Sequence, residues 1–96
     1  MSPFKKNKLN RIRSELDKLD NILIKIIKKR TNLVKKVLLL KERKNQIIDQ
    51  KRISFILKNI KKKSLKNNID PKITYKIWKN MIYAYIDYEK RNFKKK

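Results

Sequence analysis

The sequence predicts an all-α fold of three helices, one long and two shorter, paired with a second copy as an intertwined homodimer. Three observations predict it. Apolar residues recur in steps of three and four from Leu9 to Leu40. Two shorter stretches with helical periodicity follow, around residues 53–60 and 73–86. No Gly and only two Pro occur in 96 residues, so little interrupts a helix.

The first helix is read from the seam Leu9, Ile12, Leu16, Leu19, Leu23, Ile26, Leu33, Val37 and Leu40, with one gap at position 30. Such alternation is the core-facing stripe of a long helix. No Pro or Gly interrupts residues 5 to 42, which predicts one helix of about 34 residues, roughly 50 Å long. Two shorter helices cannot cover an apolar stripe of that length. A second copy with its long helix packed on the first is the simplest cover; a long monomeric hairpin is the other solution.

Arg43 to Ile48 (RKNQII) breaks the pattern and reads as a loop. Asp49 then offers an N-cap to a second helix with Ile53, Ile56, Leu57 and Ile60 on one face. Lys62 to Ile69 (KKSLKNNI) is polar and carries paired Asn, so it reads as the second connection. Asp70-Pro71 is a start signal, an N-cap followed by Pro at the first helical position. The third helix carries Ile73, Ile77, Trp78, Met81, Ile82, Tyr85 and Ile86 and should end near residue 92. No internal repeat or boundary divides the chain. It reads as one domain over 1–96, with basic tails at 1–8 and 94–96 that fray.

Composition narrows the chemistry. Without Gly there is no phosphate-cradling loop of either the dinucleotide or the Walker type. Without Cys or His there is no zinc site of the usual ligands, no thiol nucleophile and no Ser-His-Asp triad. No metal or cofactor is called for. What remains is Arg, Lys, Asp, Glu, Tyr and amides, which act by charge and positioning. The net charge of +22 invites a nucleic-acid reading. However, Lys, Ile and Asn make up about half the chain, as AT-rich codons would give, and the lysines cover every helical face and both tails. Nucleic-acid binding is therefore the alternative from another class, and membrane binding ranks below it. The N-terminal MSPFKKNK lacks a signal-peptide core, and the longest apolar run, Val37 to Leu40, is far short of a span. A cytoplasmic protein is expected.

Charges then stand where the pattern asks for apolar groups. Arg30 fills the gap in the seam, and a guanidinium on a buried stripe needs an anion. That anion is either a bound ligand or one of the chain's eight acids. Lys41 lies 11 residues on, within about 20° of the same face and ~16 Å along the axis. Arg13 lies 17 residues before Arg30, about 25 Å away and roughly 100° round, so only a second antiparallel copy could bring it to the same ligand. On helix three, Trp78, Ile82, Tyr85 and Glu89 share one face. Glu89 thus ends an apolar stripe, either in a site or simply in water at the helix end.

Together these positions resemble the all-helical (AroQ-class) chorismate mutases. In that family the long helix carries an Arg, an apolar-Asp pair, an Arg and a Lys, seen here as Arg13, Leu19-Asp20, Arg30 and Lys41. An Asp-x-x-Arg opens helix two, matched by Asp49 and Arg52, and a Gln or Glu closes the site on helix three, matched by Glu89. The likeness runs from residue 9 to 93. It implies conversion of chorismate to prephenate within phenylalanine and tyrosine biosynthesis. Arg30 of one chain and Arg13 of the other would hold the substrate's two carboxylates. Lys41 would contact a carboxylate and the ether oxygen, Glu89 would donate to that oxygen, Arg52 would add charge at the carboxylate end, and Asp49 would accept from the ring hydroxyl. Arg30, Lys41 and Glu89 are the catalytic set, and Tyr85 lines the site.

Two positions depart from the family's pattern. Ile53 stands where a Glu is common, and Tyr85 where a small residue such as Ser is common. Both, with the loop length between Lys41 and Arg52, resemble the related isochorismate pyruvate lyases, which make salicylate on the same fold. Asp49, a partner for the chorismate hydroxyl, favours the mutase.

Overall fold

A computed structural model describes residues 1–95, leaving Lys96 of the expected basic tail outside the described residues. Helix α1 spans Pro3–Leu40, a short 3-10 turn spans Lys44–Gln46, and helices α2 and α3 span Gln50–Lys66 and Pro71–Asn92. Among the described residues there is no strand, and no helix is long and apolar enough to cross a membrane. The chain divides into two compact units, Met1–Leu33 and Val34–Lys96.

Helix α1 is one uninterrupted element, as the seam predicts, but at 38 residues it is longer than expected because it starts inside the segment expected to be a tail. Ser2 explains the early start. Its hydroxyl accepts from Lys5 N at 3.3 Å and its carbonyl from Lys6 N at 2.9 Å, with Pro3 just inside the helix. This is an N-cap followed by Pro, the same arrangement as Asp70-Pro71. The seam is left exposed. Ile12, Leu16, Leu19, Leu23, Ile26 and Leu33 are each about half exposed, and α1 buries no residue.

In the second unit the loop after α1 is tied down by Gln46, whose Oε1 accepts from Glu42 N at 2.7 Å and Arg43 N at 2.9 Å. Ile47 follows and is 3% exposed, the most buried apolar residue described. Asp49 caps α2 as expected, accepting from Arg52 N at 3.1 Å.

Helix α2 runs further than the sequence suggests. The segment Lys62 to Ile69, expected as a connection, is helical through Lys66, and only residues 67–70 turn. Two features hold the extra turn. Ser64 is 3% exposed, and its hydroxyl sits 2.6 Å from that of Thr74 on α3. The chain end is then closed by Asn68, at φ 56°. Asn68 N bonds to Leu65 O at 3.2 Å and Ile69 N to Ser64 O at 2.9 Å. That is a Schellman closure, which usually takes Gly in the left-handed position. In a chain without Gly, Asn serves instead.

Helix α3 begins as predicted, with Asp70 accepting from Lys72 N at 2.9 Å and Pro71 at the first position. It packs against α2 as a helical hairpin. Its inward face runs through Thr74, Trp78, Met81, Ile82, Tyr85, Ile86 and Glu89, while Ile73 and Ile77 remain more than half exposed. The expected stripe was therefore wider than the face that packs within one chain.

Candidate active site

Glu89 projects from the last turns of α3 and is 5% exposed. The reading that left it in water at the helix end is thus excluded. A carboxylate this deep needs a partner, and Lys41 supplies it. The Lys41 ammonium stands 3.2 Å from Glu89 Oε1 and 3.1 Å from Oε2, and also donates to the carbonyl of Ile47 at 3.4 Å. The Lys41 side chain is itself 19% exposed. Three oxygens therefore surround one cation, which accounts for all three of its donors.

Local sequence explains this placement. Lys41 comes immediately after the end of α1. Burial of Ile47 brings the loop back so that its carbonyl faces the ammonium. Glu89 sits one turn beyond Tyr85 on the inward face of α3, and Tyr85 is half-buried.

Asp49 and Arg52 form the opening turn of α2 and are both exposed. They are joined through the cap bond and not by an ion pair. The Arg52 guanidinium carbon instead lies over the Phe55 ring, 5.4 Å from its centroid. Among the described residues, the only ion pairs are Lys41–Glu89 and, on the surface, Arg91–Asp87.

Arg13 and Arg30 belong to the first unit, and both are exposed. Arg30 is flanked on the seam by Ile26 and Leu33, themselves 48% and 60% exposed. Within that unit no acid neutralises Arg30: Glu15, Asp17 and Asp20 form no ion pair. The alternative of a core salt bridge finds no support in its own unit.

Two residues that contact the expected site residues were not singled out from the sequence, Ile47 and Phe55. Ile47 lay in a stretch read only as a loop, although a pair of isoleucines in a polar segment is a signal of anchoring. Phe55 follows Arg52 by three residues, the spacing at which helical neighbours meet.

The protein is all-helical among the described residues, with one buried ion pair. The family model of chorismate mutase type II matches residues 12–90, and the chain belongs to that family. Among curated proteins and among solved structures, none matches it significantly. The family supports chorismate mutase activity in general.

Proposed function

We propose that the protein is a chorismate mutase that converts chorismate to prephenate for phenylalanine and tyrosine synthesis in the cytoplasm, acting as a homodimer of a single domain over 1–96. The observation that carries this reading is the buried Lys41–Glu89 pair, 3.1 Å apart, in a chain of the type II family. In the rearrangement the ether C–O bond breaks as a C–C bond forms, with no net proton or electron transfer. The protein's tasks are to hold the compact conformer and to stabilise charge gathering on the ether oxygen.

Lys41 and a protonated Glu89 suit that oxygen, one as a cation and the other as a hydrogen-bond donor. Arg30 and Arg13 of a second copy would each grip a carboxylate through the planar fork of a guanidinium. Arg52 would add charge at the carboxylate end, and the second oxygen of Asp49 would accept from the ring hydroxyl. Support for the second copy comes from the exposed seam of α1, where at least six large apolar residues are about half exposed. Stripes of that size call for a partner.

One observation favours a second reading. Ile53 follows Arg52 with no acid anywhere on α2, so the hydroxyl of chorismate would rest on Asp49 alone. An isochorismate pyruvate lyase fits that poverty better. The assay is loss of chorismate absorbance on adding the protein, with the product identified. Prephenate supports the mutase. Turnover of isochorismate to salicylate and pyruvate, with chorismate left intact, replaces it with the lyase. No turnover, with strongly salt-dependent duplex binding, returns the chain to nucleic-acid binding.

A further inference from the structure

Arg52 is a long, flexible cation, and a flexible cation loses rotamer freedom when it binds a carboxylate. A neighbouring acid can hold such a guanidinium through paired hydrogen bonds. Here none is at hand on the same element: α2 reads QKRISFILKNIKKKSLK and contains no Asp or Glu. Its capping residue, Asp49, spends an oxygen on the backbone N–H of Arg52 and makes no ion pair with the guanidinium. The guanidinium instead lies over the ring of Phe55, 5.4 Å from the centroid. Phe55 is 55% exposed, so packing within its own chain does not explain a large aromatic at this position.

We propose that Phe55 is a positioning residue, whose ring face holds the Arg52 guanidinium with its N–H edge turned outward for a substrate carboxylate. The inference rests on the reading of Arg52 as a substrate-binding residue. A ring face attracts the cation through its quadrupole yet occupies none of its N–H donors. A carboxylate in the same place would consume those donors and cancel the charge. Stacking thus narrows the rotamers of Arg52 while leaving it able to bind. Spacing is part of the device, because residues three apart on a helix are surface neighbours.

The test is steady-state kinetics with whichever substrate the protein turns over, on Phe55→Ala, Phe55→Leu, Phe55→Tyr and Arg52→Ala, with helical content checked by circular dichroism. Phe55→Ala should raise KM about three- to fivefold and leave kcat within about twofold. Phe55→Leu, which keeps apolar bulk without a π-face, should behave like Phe55→Ala. Phe55→Tyr should retain the wild-type KM. In the Arg52→Ala background, Phe55→Ala should add nothing further.

Two results overturn the proposal while the substrate role of Arg52 stands. One is a raised KM in Arg52→Ala with an unchanged KM in Phe55→Ala. The other is a Phe55→Ala effect that persists at full size without Arg52. An unchanged KM in Arg52→Ala instead removes the substrate role itself, and the positioning role with it.

Discussion

The ammonium of Lys41 divides its donors between both oxygens of Glu89, at 3.2 and 3.1 Å, and the carbonyl of Ile47 at 3.4 Å. With three acceptors already in place, a substrate oxygen can approach Lys41 only by displacing one of them. An ionised Glu89 would compete for the cation and repel the incoming oxygen. A neutral Glu89 gives up its claim on Lys41 and adds a donor of its own.

Activity should therefore depend on the neutral form of Glu89. Loss of its proton removes the donor, so kcat should fall as pH rises. Glu89→Gln carries an amide donor at every pH and should show a flat profile. A wild-type profile as flat as that of Glu89→Gln removes the proton-donor role.

The hydroxyls of Ser64 and Thr74, 2.6 Å apart, clamp α2 to α3 away from the Lys41–Glu89 pair. Ser64 donates its one proton to Ile60 O at 2.6 Å, so Thr74 is the donor across the pair, with Pro71 O further off at 3.3 Å. Thr74→Val or Ser64→Ala alone should cost about 1 kcal/mol in urea unfolding. The double variant should cost less than the two added together, because neither hydroxyl is then left facing an apolar surface. Strict additivity would mean that the two groups do not interact in solution.

Asp49 caps α2 by accepting from the N–H three residues on, at 3.1 Å, and Asp70 caps α3 from the N–H two residues on, at 2.9 Å, but only Asp49 has a proposed role toward substrate. Asp49→Ala and Asp70→Ala should each lower stability by about 1 kcal/mol. Asp70→Ala should leave kcat/KM near the wild-type value, whereas Asp49→Ala should reduce it about tenfold or more. Equal kinetics in the two variants would reduce Asp49 to a cap.

Much of the fold was legible because local signals agreed with the packing. The seam from Leu9 to Leu40, interrupted only at Arg30, marked one long helix, and Asp70-Pro71 marked the start of α3 to the residue. Ser2-Pro3 carries the same start signal, yet the surrounding lysines made the segment look like a tail. The end of α2 was hidden for a related reason. Lysine-rich KKSLKNN is as compatible with a solvated helix as with a loop, and what decides between them is the long-range contact of Ser64 with Thr74. At the site, Lys41, Asp49 and Glu89 were legible as charges interrupting apolar periodicity or opening a helix. Ile47 was not, since its role lies in a backbone carbonyl. Phe55 was not, since an exposed aromatic on a helix has no periodic signature.

The central claim is that Arg30 and the Arg13 of a second copy grip one substrate together, and complementation between inactive chains tests it most directly. Arg13→Ala and Arg30→Ala homodimers should each be nearly inactive. Unfolded together in equal amounts and refolded, they should recover about a quarter of wild-type activity, because half the dimers are mixed and each mixed dimer holds one intact site of two. No recovery, with mixed dimers verified by mass spectrometry, would contradict a site shared between copies.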